Sequence, residues 1–136
     1  MQDGWEVIES KSFVIPNLPP SVNSVYQIIF SQKRVELKPE VRLWKTQAKE
    51  YIPKLTPMSS SHLFKVDTIF HYDFFYKNGK LKKFDSQNLM KVLIDAIAEK
   101  NGFDDSCVKF GSWESYHAAQ DRVDVFISQV ASRVTP

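Results

Sequence analysis

Two periods organise the hydrophobic positions of this chain. From Leu63 to Tyr76 they alternate, with Val66, Thr68, Phe70, Tyr72 and Phe74 on one parity and Asp67, Ile69, His71 and Asp73 on the other, as in a strand with one face in a core. Arg122 to Val130 alternates the same way through Val123, Val125 and Ile127. The aromatic and β-branched run Val25–Phe30 reads as a strand, a polar turn follows at Ser31–Arg34, and Val35-Glu36-Leu37 reads as the return. Phe13–Pro16 is a short first strand, with residues 1–12 an N-terminal extension or added edge strand. Val108–Tyr116 completes the set.

The other period is helical. Pro39 suits a first helical position, and Val41, Trp44, Ala48, Tyr51 and Ile52 recur at three- and four-residue spacing until Pro53. Arg42, Lys45 and Lys49 occupy the other side. A second helix starts near Asp85-Ser86-Gln87-Asn88, where capping residue types crowd, and stops at Asn101-Gly102. Leu89, Val92, Leu93, Ala96 and Ile97 form its apolar stripe; Asn88, Lys91 and Asp95 share a polar face. Proline fixes a loop at Asn17–Asn23, Thr56–Ser61 is another, and Asn78-Gly79 closes a turn into Lys80. About five strands and two main helices outside strict alternation predict an α+β fold with a mixed sheet.

The length of 136 residues suits one domain, expected over 13–130 with a tail at 131–136. A single cysteine, Cys107, excludes an internal disulfide, and nothing approaches the ~20 apolar residues of a membrane span. The start of the chain has neither a basic nor an apolar leader region, so an intracellular, cytoplasmic protein is expected. Net charge is only +2, but it is segregated. Lys33–Lys54 carries seven basic residues against three acidic, Lys77–Lys91 five against one, and Asp95–Asp124 seven acidic against three basic. Such separation lets a carboxylate site lie beside a surface for polyanions, although solvated faces account for it too.

Chemistry converges on the second helix. Asp85 stands at its start after Lys77, Lys80, Lys82 and Lys83, Lys91 lies two turns in, and Asp104-Asp105 follows its end. Carboxylates gathered by a fold suit a hard cation such as Mg²⁺. Each residue also has a structural role open to it: Asp85 as an N-cap, Asp104-Asp105 as a solvated turn, Lys91 as an i,i+4 partner of Asp95. His62, His71 and His117 lack zinc-site spacing, and Cys107 reads as a structural thiol. Trp5, Trp44 and Trp113 suit a core or a contact between copies, or a wedge into DNA.

Three motifs stand in order: Pro19-Pro20-Ser21-Val22-Asn23, then Asp85-Ser86-Gln87-Asn88-Leu89-Met90-Lys91 with Asp95, then Gly102-Phe103-Asp104-Asp105. In this the chain resembles the RusA family of Holliday junction resolvases from about Phe13 to Ile127. The resemblance implies a homodimeric, Mg²⁺-dependent endonuclease, with Mn²⁺ able to substitute, that nicks four-way DNA junctions in pairs during recombination and repair. It implies no nucleotide cofactor and no membrane, a nucleoid-associated location and a cellular, phage or prophage origin.

By the same resemblance Asp85, Lys91 and Asp105 are catalytic, with Asp85, Asp105, Asp104 and Gln87 toward the metal. Asn88 and Asn23 lie behind the site, Asp95 is structural, and Lys33, Arg34, Lys77, Lys80, Lys82 and Lys83 grip the backbone together with the first-helix face. Gln87 departs from the pattern, standing where the family has its second aspartate. Either a one-metal mechanism on Asp85 and Asp105 accommodates the change, or Asp104, or one of Asp67 and Asp73, is a source of the missing charge. The alternative is a chain that binds branched DNA or a partner without cutting.

Overall fold

The computed structural model describes residues 4–18, 26–29, 32–56 and 62–132. They form β1 (Trp5–Ile15), β2 (Tyr26–Ile29), β3 (Arg34–Leu37), α1 (Pro39–Ala48), β4 (His62–Tyr72), α2 (Ser86–Asn101), a 3-10 turn (Asp105–Cys107), β5 (Val108–His117) and β6 (Arg122–Ser132). Four strands make one mixed sheet in the order β1-β6-β4-β5, antiparallel except for the parallel β4–β5 pair, and β2 with β3 makes a separate hairpin. The class is therefore α+β, with two helices. The motif Pro19–Asn23, the ends of the β2–β3 region at Val25, Phe30 and Ser31, the loop 57–61 and the tail beyond 132 lie outside the described residues.

The alternating parities pack as expected. Val66, Thr68 and Phe70 of β4 and Val123, Val125 and Ile127 of β6 are buried in register against one another and against Leu89, Val92, Leu93, Ala96 and Ile97 of α2. Burial of each large aliphatic side chain contributes roughly 1.5–3 kcal/mol, so the α2 stripe alone holds the helix on the sheet.

Three boundaries differ from expectation. First, β1 runs unbroken across residue 12, so the extension and the short first strand are one element, paired along its length with β6 around one bulge at Val7/Glu9. Second, α1 stops at Ala48 rather than continuing to Pro53. Proline holds the residue before it extended, and Asn101 anchors the following segment, donating to Pro53 O at 3.2 Å and accepting from Leu55 N at 2.8 Å. Tyr51 is left exposed while Ile52 is buried. Third, β4 ends at Tyr72, because the Asp73 carboxylate accepts from Phe75 N at 2.9 Å and turns the chain. A small hairpin follows, bridged at Phe75 and Leu81, with Gly79 at φ 83°.

The loop entering α2 is pinned by aromatic rings. Phe84 stacks on Tyr72 at 4.3 Å between centroids and meets Phe70 edge-on at 5.2 Å, which places the next residue, Asp85. At the far end Gly102 adopts φ 72°, and Phe103 stacks flat on Phe64 at 4.2 Å, delivering Asp104 and Asp105.

Across the parallel pair, Gly111 sits so close to β4 that a Cβ there would lie 2.6 Å from Val66 O. The expected result of Gly111→Ala is a loss of about 1–3 kcal/mol, since only movement of the backbone ladder relieves the overlap; chemical denaturation measures it.

Candidate active site

The site is built by the two ends of α2 and the first residues of β5. At the start of the helix Asp85 is the N-cap: one carboxylate oxygen accepts from Asn88 N at 3.1 Å and the other from Asn88 Nδ2 at 2.8 Å. The capping role is thus fulfilled, and Asn88 is the residue that orients Asp85. Along the helix, Lys91 and Asp95 are four residues apart and share a face.

Asp105 comes to this face from the other end, near enough for its carboxyl group to act on that of Asp95. Partial burial of Asp95 and the Asp105 hydrogen bond push its pKa up to about 6, against the opposing charges of Lys45 and Lys91. Asp95 thus neighbours a residue of the site, and its i,i+4 spacing from Lys91 gives no sign of the carboxylate arriving from 10 residues further on.

Between α2 and β5 lies a cavity of about 450 Å³. Gln87, Lys91 and Asp105 form its polar side, and Met90, Ile94 and Trp113 much of its apolar side. Asp85 is not among the residues lining it. Asp104 faces elsewhere: it lines a second cavity with Leu55, Phe64 and Cys107, and its carboxylate accepts from Ser106 N at 2.8 Å. Hydrogen bonds from Ser106, then from Asp105, hold the Asp104 carboxyl below the usual carboxylate range.

Asp67 and Asp73 do not share a strand face, because β4 has ended before Asp73. Asp67 is engaged by Ser112 Oγ at 2.8 Å and Lys65 Nζ at 3.4 Å. Asp73 is held by its own turn.

Among the described residues no three acidic or histidine side chains converge at metal-binding distance. The Asp95 and Asp105 carboxyl groups do influence each other, and a Mg²⁺ ion characteristically takes one or two carboxylates and retains several waters.

The basic residues divide. Lys77, Lys80 and Lys83 are exposed on the hairpin that leads into Asp85, and the Lys82 ammonium lies 5.8 Å from the centre of the Tyr76 ring. Lys33 is exposed at φ 50° in the β2–β3 turn, and Arg34 opens β3. The α1 face does not present its lysines to a polyanion as expected. Lys45 and Lys49 both reach Glu99 at 2.7 Å and tie α1 to α2, leaving Arg42 exposed.

Several of the other singled-out residues have partners within the fold. His71 Nε2 pairs with Asp124 at 2.8 Å, His117 Nδ1 accepts from Phe74 N at 3.0 Å, and Trp44 is a core residue. Cys107 is free and half-buried. Among the described residues no helix is long and apolar enough to cross a membrane.

A carboxyl group whose folded pKa is raised binds more protons folded than unfolded between its ordinary value near 3.8 and about 6. Stability therefore falls as pH rises through that window. In cation-free buffer Asp95→Asn is expected to flatten this fall and to raise stability at pH 7.5. The gain is on the order of 1 kcal/mol, reduced from the full linkage value because the group is partly solvated. Urea titrations at pH 4, 6 and 7.5 measure it.

A family model described as Endodeoxyribonuclease RusA matches residues 18–128, a span that includes β2 through most of β6 and every residue of the cavity. No curated protein matches the chain.

Proposed function

The chain belongs to the RusA endodeoxyribonuclease family, a family of Holliday junction resolvases, and from that premise we propose that it is a Mg²⁺-dependent nuclease that works as a homodimer and resolves four-way junctions by paired nicks. The observation that carries this reading is the meeting of Lys91 and Asp105 in one cavity. Ammonium and carboxylate from two separate motifs, facing one space large enough for a nucleotide unit, are what phosphodiester hydrolysis requires.

Asp105 would hold the cation, with Asp95 near it, and the family match assigns Asp85, at the helix start, to the same centre. When bound, the cation supplies an activated water and neutralises phosphate charge. Above about pH 6 Asp95 gives up its proton and adds its charge to that of Asp105. Gln87 offers an oxygen without charge. The Lys91 ammonium faces the phosphate, where it stabilises the charge that builds on the non-bridging oxygens and donates a proton to the leaving 3′ oxygen. Lys77, Lys80 and Lys83 hold the flanking backbone by charge and carry no sequence information. A twofold pair of chains supplies the second cut.

The test is nicking of an end-labelled, mobile four-way junction in Mg²⁺ and in Mn²⁺, with a linear duplex as control. Paired symmetrical nicks by the native chain, absent in Asp85→Asn and on the duplex, are the expected result. Gln87 favours a second reading, a chain that binds junctions without cutting. Salt-sensitive junction binding, with nicking only after Gln87→Asp, would establish it in place of the first.

A further inference from the structure

The proposed chemistry uses only the polar side of the α2–β5 cavity. Its other side is apolar, and Trp113 remains 44% exposed there although it stands on the parity of β5 that faces α2, opposite Thr68. Met90, Ile94 and Val108 continue this wall. An apolar recess with a flat indole face is therefore continuous with the lysine and carboxylate that act on a phosphate. Any phosphate held by Lys91 carries its own nucleoside, and the recess is the adjoining space.

Resting on the nuclease reading above, we propose that the cavity receives one unstacked nucleobase next to the nicked phosphate, with Trp113 as its stacking face. The charge pattern agrees with such an occupant: Lys91 and Lys109 stand at the cavity for the backbone, and the apolar wall accepts the π-face. Gln87, at the same cavity, has both a donor and an acceptor for a base edge. Stacking on Trp113 makes the nucleoside at this position a determinant of where the nick falls. It also favours branched DNA, in which bases near the crossover unstack at lower cost than within a duplex.

The experiment is a double substitution cycle across the complex. Junctions carrying an abasic site at either nucleoside flanking the mapped nick are compared with the intact junction, for the native chain, Trp113→Ala and Trp113→Phe. Affinity is measured in EDTA, and single-turnover nicking in Mg²⁺. One abasic position is expected to weaken native binding about tenfold to a hundredfold, the range for loss of one base–aromatic stack. Trp113→Ala should weaken binding of the intact junction by a similar factor and lose nothing further on that abasic junction, while Trp113→Phe keeps most of the affinity.

Multiplying effects of the two changes, or no cost at either abasic position, overturns the proposal. A change in the mass of Trp113→Ala by light scattering, together with no abasic effect, assigns the indole to a contact between copies instead. Failure of the native chain to nick the intact junction counts against the nuclease reading. The affinities in EDTA judge the base pocket separately.

Discussion

Asp105→Asn is expected to lower junction nicking by about a thousandfold, the upper range for removing one preorganised electrostatic group from a reaction centre. The same substitution should leave junction affinity in EDTA within about twofold. Asp105 is exposed, and no core contact depends on its charge. Asparagine preserves the shape and a hydrogen bond to Asp95 but offers a neutral oxygen in place of an anionic one. Single-turnover rates at saturating enzyme separate this from a binding defect. Loss of affinity parallel to loss of rate would place Asp105 in DNA binding, not in catalysis. Removing the partner charge also returns the Asp95 pKa toward its ordinary value, so the pH dependence of stability should shrink in the same variant.

Phe70→Ala is expected to cost about 3–5 kcal/mol of stability, the range for truncating a fully buried phenylalanine, and roughly 10–20 °C in melting temperature. Phe70 is fully buried on the central strand β4, in register with Val123 on one side and Ser115 on the other. Its ring meets Phe84 edge-on, and Phe84 stacks on Tyr72, so the cavity left by alanine lies directly beneath the residue that precedes Asp85. Nicking should fall in this variant even at temperatures where it remains folded, because the start of α2 loses its anchor. Phe70→Leu, which keeps most of the volume, should recover most of both. Thermal melts followed by circular dichroism, with nicking measured 15 °C below each midpoint, test the pair.

The strands that sit between neighbours announce themselves by alternation, and the β1 edge does not. For β4 and β6 one face is buried and the other is not, so their apolar residues alternate. β1 lies at the margin of the sheet, exposed at most of its positions, and from Glu6 to Ser12 carries little alternation to read. Its pairing with β6 is decided by backbone hydrogen bonds that any residue can make. The end of α1 is similarly non-local, since Asn101 of another helix holds Pro53 and Leu55 away from the helical path.

At the site the division is sharper. Motif order placed Asp85, Gln87, Lys91, Asp104 and Asp105 near α2, and capping chemistry placed the ends of that helix at Asp85 and Gly102. Those are local properties, set by side-chain hydrogen bonds within a few residues and by the left-handed backbone that glycine accepts. Which carboxylates meet is a different kind of fact. Adjacent residues Asp104 and Asp105 line different cavities, while Asp95 and Asp105, 10 residues apart, act on each other's charge.

The sequence by itself determined the α+β class, the two helices, the central strands and the membership of this chain in its family, because periodicity, capping and motif spacing act over short stretches of backbone. The tertiary structure alone decided that α2 and β5 enclose a cavity, that Lys45 and Lys49 are tied to Glu99, and that Asp95 joins Asp105. Each of those depends on the stacking of Phe103 on Phe64 and the packing of α2 on β4, contacts between residues distant in the chain whose geometry no local pattern encodes.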